Sequence, residues 1–446
     1  MPRYMIQGFS IVLARVEEAV AVLSKMVGAE KPQPLYWKGL HMEFNTFLAD
    51  LALPDAALPV EPASLFALLA QLPDPRKRRG RRYSLAAVLA VIILAKLAGE
   101  TSVSGIAQWA RLRAAWLCPL LQVARQNLPC ANTYTLLCAK LDLADLNHRL
   151  AQFFVPPLPP LPDVPAVPAP PAPPRAQRHL ALDGKTLRGT RRSGTVVQPA
   201  VHLLSLYDVT HQGTLAQQEV ATKEHEIPGA TKLIAGRDLR GCVVTADALH
   251  TQRNWCRTVR AQGGDYVLIA KKNQRGLRED LAILFGGEWP TWLEHRTVTT
   301  VDKGHGRLEV RQLRASTELN EYLAATWADV AQVFEIARDI VRNGKPTHEV
   351  VYGITSLPAQ AAEPGAVLGL VRHHWHLENR VHWRRDVRLG EDGCQVKQGK
   401  AAQVLAALNN GVLMLMDHLG VENVKAQMRE FAAHPLAAVT LLLSEL

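Results

Sequence analysis

Apolar positions along the chain follow two regimes, which change over near residue 175. In the first regime they recur at helical spacing. Ser84 is placed to cap a helix that runs through an unbroken apolar stretch over 85–95, reaches Leu97 and stops at Gly99. Ser102 or Ser104 opens a second helix through Ile106, Trp109 and Leu112. Asn132 or Thr133 opens a third through Leu136, Leu137 and Leu141 toward Leu150. Residues 1–62 are weakly patterned, with one amphipathic helix readable over 12–27, and read as an extension, Met42 being an alternative start. Between the regimes, eleven of the nineteen residues over 156–174 are proline. A fixed φ and a missing N–H exclude a helix or a central strand, so this run reads as a semi-rigid linker. It separates a helical domain over 63–155 from a second domain over 175–446.

In the second regime the apolar runs shorten to strand length. His179, Leu180, Ala181 and Leu182 predict a strand that ends at Asp183 and turns at Gly184. Strands over 199–209 and 215–221 follow, then a helix over 229–239. A buried strand over 242–246 ends at Asp247, and a helix over 250–262 leads into a strand over 266–270. This order opens as an antiparallel meander and passes into crossover units, which predicts an α/β fold with a mixed sheet flanked by helices. Residues 276–356 read as strands and loops, with strands over 296–301, 307–314, 333–341 and 349–354. Helical patterning resumes near Ala366 and continues past Val381.

Composition narrows the class. Over 446 residues, 48% hydrophobic and 21% charged content is that of a globular chain. The longest apolar run ends at Lys96, short of the roughly 20 residues a bilayer span needs. Glu17 and Glu18 fall where the apolar part of a signal peptide would lie. Six cysteines form no C-x-x-C pair, which suggests neither a zinc module nor a disulfide framework. The chain therefore reads as a protein of a reducing, cytoplasmic compartment.

Charge points toward polyanions. Fifty-one Lys+Arg against 41 Asp+Glu give a net charge of +10, and neutralising phosphates releases condensed counterions. Arg76, Lys77, Arg78, Arg79, Arg81 and Arg82 place six cations within seven residues, a pattern suited to a phosphate-contacting loop.

Three acidic positions carry the candidate chemistry. Asp183 and Asp247 each end a predicted buried strand, at the sheet edge where α/β folds bind ligands. If those strands are neighbours, the two carboxylates converge. Further on, His374, Glu378 and His382 fall at i, i+4 and i+8 and would share one helix face, with Trp375 and Val381 elsewhere as anchors. This spacing matches no common zinc signature. An all-carboxylate set of Asp183, Asp247 and Glu378 suits Mg2+ or Mn2+ instead, and a pair of such ions is the apparatus of phosphodiester cleavage. Lys185 and Arg188, and Lys271 and Lys272 after the fifth strand, are placed to meet phosphate or to lie in solvated loops. Glu226 is either an accessory acid or a surface charge. Asp386, Glu391 and Asp392 either support the site or pair with Arg385 and Arg388, and Trp375 and Trp383 read as core.

Taken in order, these stretches resemble a known family. Leu72-Pro73-Asp74-Pro75-Arg76 precedes the basic run, and Leu182-Asp183-Gly184-Lys185-Thr186-Leu187-Arg188-Gly189 holds the first aspartate. Thr245-Ala246-Asp247-Ala248-Leu249-His250-Thr251-Gln252 holds the second. His305-Gly306-Arg307-Leu308-Glu309, His374-Trp375-His376-Leu377-Glu378-Asn379 and Gly390-Glu391-Asp392 follow. Over about 63–440 the chain resembles the DDE transposases of bacterial insertion sequences, specifically the H-repeat-associated type linked to Rhs elements. That resemblance implies a ribonuclease-H-like catalytic fold with a β-rich insertion before the last acidic residue. It implies Asp183, Asp247 and Glu378 as catalytic and metal-binding triad, two Mg2+ or Mn2+ ions, and cleavage of element ends with 3′-hydroxyl joining to target DNA. The partners implied are double-stranded DNA, as terminal inverted repeats and target, and further copies of the chain in a homodimer or higher synaptic assembly at the nucleoid. Related enzymes carry a Tyr, Arg, Glu, Lys pattern around the glutamate. Val371 and His374 stand here at the first two positions and Arg385 at the last, which makes Arg372, His374 and Arg385 the implied DNA contacts. A metal-dependent nuclease without strand transfer, a catalytically inactive DNA-binding repressor or remnant, and a zinc hydrolase remain alternatives.

Overall fold

A computed structural model describes residues 59–79, 81–158, 177–192, 198–220, 226–287, 295–304 and 306–446. Nearly all of the expected extension, most of the proline run, and His305 lie outside the described residues.

The N-terminal helices form where capping residues meet apolar runs. Ser64 and Ser84 accept hydrogen bonds from Ala67 and Ala87, opening α1 (Leu65–Ala70) and α2 (Leu85–Leu97). Because α2 is apolar all round, it has no solvent face, and every residue from Leu85 to Leu97 is buried, Lys96 included. Of the two candidate serines, Ser102 caps α3 (Val103–Leu112) and Ser104 lies inside it. A further helix, α4 (Ala114–Leu120), was hidden by its internal Pro119. The third expected helix is two. After α5 (Ala131–Cys138), the Asp142 carboxylate accepts from Ala144 and Asp145 and starts α6 (Leu143–Phe154).

One mixed sheet of nine strands follows, in the order β3-β2-β1-β4-β5-β9-β8-β7-β6. Strands β1 (Arg178–Leu187), β2 (Val201–Asp208) and β3 (Gly213–Val220) make an antiparallel meander. Helix α7 (Glu226–Ile234) crosses over to β4 (Cys242–Ala246), and α8 (Arg253–Ala261) crosses to β5 (Asp265–Ala270), both parallel to β1. These five strands have ribonuclease-H-like order and direction. The insertion is not a separate layer. Its strands β6 (His295–Gly304), β7 (Arg307–Ser316), β8 (Gln332–Arg342) and β9 (Lys345–Thr355) extend the same sheet through β9 on β5.

Two expectations are corrected here. Strand β1 does not end at Asp183 or turn at Gly184; it continues to Leu187 because β2 goes on pairing with it, to Leu187↔Val201, after β4 has left. The region beyond 275 is not all strand and loop. It begins with α9 (Arg275–Gly286), which buries Leu277, Leu281 and Phe285 at i, i+4 and i+8, and includes the short α10 (Asn320–Ala324).

After the sheet come α11 (Pro364–His376), a π-helical segment (Leu377–His382) and α12 (Trp383–Val387). Helices α13 (Ala401–His418), α14 (Val424–Ala433) and α15 (Pro435–Leu443) close the chain. The N-terminal helices do not stand apart from the sheet: α2 and α6 share a continuous hydrophobic core with β1, β4 and α13. The N–H of Glu61 also donates to Leu443 O at 2.9 Å, tying the two ends of the described chain together. No helix among the described residues is long and apolar enough to cross a membrane.

Candidate active site

The parallel β1–β4 ladder ends at Leu182↔Ala246, and the next residues on the two chains are Asp183 and Asp247. Strand adjacency therefore sets the two aspartates side by side at one edge of the sheet. Asp183 stays in β1, opposite Ser205 of β2. Asp247 leaves its strand and caps the turn over Ala248–His250, where Leu249 N–H donates to Asp247 Oδ1 at 3.0 Å. Its side chain remains 43% exposed at the edge.

Glu378 reaches this edge from the π-helical segment. Leu377 and Val381 pack on Ala181 and Tyr207, which presses that segment onto β1. His382 Nδ1 lies 3.1 Å from Glu378 Oε2 and 3.6 Å from Asp183 Oδ2. Asp183, Glu378 and His382 offer ligand atoms that all lie within 4.8 Å of one another, and Asp247 is outside that group. His374 is also outside it. It turns to β4, with Nδ1 3.1 Å from Thr245 Oγ1, so the three residues at i, i+4 and i+8 do not converge on one ion. His382 entered the sequence reading only through that helix face; its approach to Asp183 depends on contacts between distant segments.

Electrostatics separates the two carboxylates. Burial raises the pKa of Asp183, helped by the like charges of Asp247 and Glu378 and opposed by His382. The hydrogen bond from His382 instead lowers that of Glu378. Burial takes His374 down to about 4.

The motif around Asp183 is shaped by close approaches. A Cβ on Gly184 would stand 2.5 Å from His202 Nε2, and one on Gly189 would stand 2.8 Å from Asp392 O. Between them Lys185 is buried, with Nζ 2.6 Å from Asp386 Oδ1 and 3.7 Å from Asp392 Oδ1. It clamps β1 to the segment after Glu378, which satisfies its charge internally. Glu226 is no surface charge; it is buried on His202.

The expectation that Arg385 contacts DNA is corrected. Its side chain has no exposed surface, and Nε donates to both carboxylate oxygens of Glu391 at 2.9 Å. Trp375 and Trp383, expected in the core, are also corrected, being 62% and 45% exposed, with the Arg388 guanidinium 4.8 Å above the Trp383 ring. Val381 does anchor the segment.

Among the remaining basic candidates, Arg76 is held by Asp74 at 2.8 Å and by Tyr83 O at 2.7 Å. Arg81 donates to Arg76 O and Asp74 O, so both shape their loop. Lys77, Arg78, Arg79 and Arg82 are exposed. Arg188, Lys271 and Lys272 are exposed on the turns that follow β1 and β5, and Arg372 pairs with Asp302 at 3.0 Å.

Residues 174–415 match the family described as Transposase DDE domain, and residues 66–154 match the one described as DDE_Tnp_1-associated. The protein YbfL of Escherichia coli K12 is 29% identical over 265 residues, which cover 57% of this chain and 68% of its own. The "H repeat-associated putative transposase YhhI" of the same organism is 28% identical, with the same coverage of each chain. A piggyBac transposase in a synaptic complex with hairpin DNA superposes over 85% of this chain and 78% of its own, at 10% identity and a TM-score of 0.40.

Proposed function

The chain belongs to the Transposase DDE domain family, and from that premise we propose that it is a DNA transposase that cleaves element ends and joins the freed 3′-hydroxyl to target DNA. The observation that carries this reading is the meeting of Asp183 and Asp247 at the end of the β1–β4 ladder, with Glu378 delivered beside Asp183. Oxygen donors with one imidazole, clustered within 4.8 Å, fit a divalent ion of the Mg2+ or Mn2+ kind. Asp183, Asp247 and Glu378 would hold the ions, with His382 as a further donor or as the group that orients Glu378.

A pair of such ions supplies activation of water or a 3′-hydroxyl and charge stabilisation at the leaving oxygen. The residues do the rest. Asp183 is held in the sheet opposite Ser205, and two residues on, Lys185 ties the same strand to Asp386. The His382 hydrogen bond keeps Glu378 ionised and aimed at Asp183. Arg188, Lys271 and Lys272 make a basic rim at this edge, where they would follow the phosphates of a bound duplex. Lys77, Arg78, Arg79 and Arg82 offer a second basic stretch on the helical part. Synapsis of two element ends would require at least two copies of the chain.

The test uses DNA carrying the inverted repeats that flank the gene, a target plasmid, and Mg2+ or Mn2+. Joined products are expected from the native protein, and none from Asp183→Asn, Asp247→Asn or Glu378→Gln, each retaining DNA binding. A residue whose variant still cleaves is removed from the triad. Cleavage without joining supports a nuclease, and binding without cleavage in either metal supports a repressor or remnant.

A further inference from the structure

Behind the two aspartates runs a buried polar chain that the chemistry above does not use. Glu226 opens α7 and is 2% exposed. Its Oε1 accepts from His202 Nε2 at 2.7 Å, and His202 Nδ1 lies 2.8 Å from Thr186 Oγ1 of β1. Its Oε2 lies 3.6 Å from His250 Nε2. The His250 ring is fully buried, and the same Nε2 lies 3.9 Å from Asp247 Oδ1. One carboxylate thus backs both catalytic strands: through His202 it meets Thr186 of β1, and through His250 it approaches the turn that carries Asp247.

Burial opposes the charge of Glu226, but the two imidazoles outweigh it and hold the pKa at about 2. An ionised carboxylate in such a place is costly unless its neighbours are arranged to receive it. His250 Nε2 faces two carboxylates at 3.6 and 3.9 Å, beyond hydrogen-bond distance, and the ring packs beside Trp255 with ring centroids 5.8 Å apart.

We propose that Glu226 is a positioning residue, which acts through His250 to orient the Asp247 carboxylate for its ion and through His202 to hold β1 at Asp183. The proposal rests on the reading of Asp183 and Asp247 as metal-binding groups. Carboxylate–imidazole partners behind a metal-binding group set its direction, and losing one typically weakens metal affinity about 10–100-fold.

The experiment is calorimetric titration of the DNA-free, full-length protein with Mn2+, alongside urea unfolding to confirm the fold. Glu226→Gln, which keeps size and removes charge, is expected to bind Mn2+ about 10–100-fold more weakly. His250→Leu should lose affinity similarly, while His250→Gln, whose amide N–H can stand in for Nε2, should keep most of it. A merely structural role would move both His250 variants together. Native affinity in Glu226→Gln overturns the proposal. If that variant does not fold, equal affinities in the two His250 variants overturn it. Native affinity in both Asp183→Asn and Asp247→Asn refutes the metal reading itself, and the proposal with it.

Discussion

Replacing Arg385 with methionine separates a buried support from a DNA contact. In the native protein the guanidinium meets Glu391 with Nε at 2.9 Å and Nη2 at 2.7 Å. Asn409 Nδ2 donates to the same carboxylate at 2.8 Å. Burial would raise the Glu391 pKa, but Arg385 and Asn409 lower it overall. Methionine fills much of the arginine volume but leaves Glu391 as a buried charge, a change that costs about 3–5 kcal/mol. The loss is limited by the alternative of protonating Glu391. Removing Arg385 takes away the largest lowering influences, so the folded-state pKa of Glu391 should rise toward the neutral acid that burial favours. The folded variant then binds the proton more readily than the folded native protein, and its deficit is smaller at pH 5 than at pH 8. Adding Glu391→Gln should recover most of the loss, because no charge is left to bury. Urea unfolding at both pH values measures these differences. The salt dependence of duplex binding supplies the control: a lost phosphate contact lowers the slope by about 0.9, and a buried support leaves it unchanged. Unaltered stability together with a slope reduced by that amount would refute the burial argument.

Three further outcomes are expected. Gly184→Ala places a Cβ 2.5 Å from His202 Nε2, so unfolding should show a loss of about 1–3 kcal/mol from overpacking; a neutral variant would mean that the strand moves freely there. Burial lowers His179 from the ordinary 6.5 to about 3. Its unfolded form therefore takes up a proton first as pH falls, and stability declines from pH 6.5 toward 3, by about 2 kcal/mol at pH 5. His179→Gln should flatten that decline, as read from urea unfolding at pH 7.5 and 5. Changing Arg78, Arg79 and Arg82 together to alanine should lower the DNA-binding salt slope by up to about 2.7 with little effect on stability, and an unchanged slope would remove that loop from the interface.

Local signals marked most elements of the fold. Ser84, Ser102 and the apolar run between them specify α2 and the start of α3, because capping and patterning act within one turn. The strands holding Asp183 and Asp247 were legible from their apolar runs. Their adjacency was only a condition, since parallel pairing joins segments about sixty residues apart. The end of β1 escapes a local reading for a related reason. Gly184 looks like a turn in isolation, but its absent Cβ makes room for His202 and Glu226 while β2 keeps the strand extended. The i, i+4, i+8 apolar pattern of α9 is present in the sequence, masked by the strand-length runs that follow it.

Side-chain roles were less legible than strands because charge does not reveal its partner. Arg385 reads as a DNA contact or as the partner of a nearby acid, which Glu391 proves to be, and Lys185 and Glu226 read as surface charges or ligands. Each is buried against a partner brought in by tertiary folding: Glu391 across the turn after α12, Asp386 beside the π-helical segment, and His202 on β2. These pairs surround the edge that carries Asp183, Asp247 and Glu378, where like charges would repel in the absence of cations. A site that collects carboxylates needs a rigid frame to hold them before a metal arrives. Buried ion pairs supply that frame at the cost of desolvation, and removing one partner exposes the full penalty. That asymmetry explains why the buried pairs should respond to substitution in stability and metal affinity, while Arg78, Arg79 and Arg82, exposed on a loop, should respond only in DNA binding.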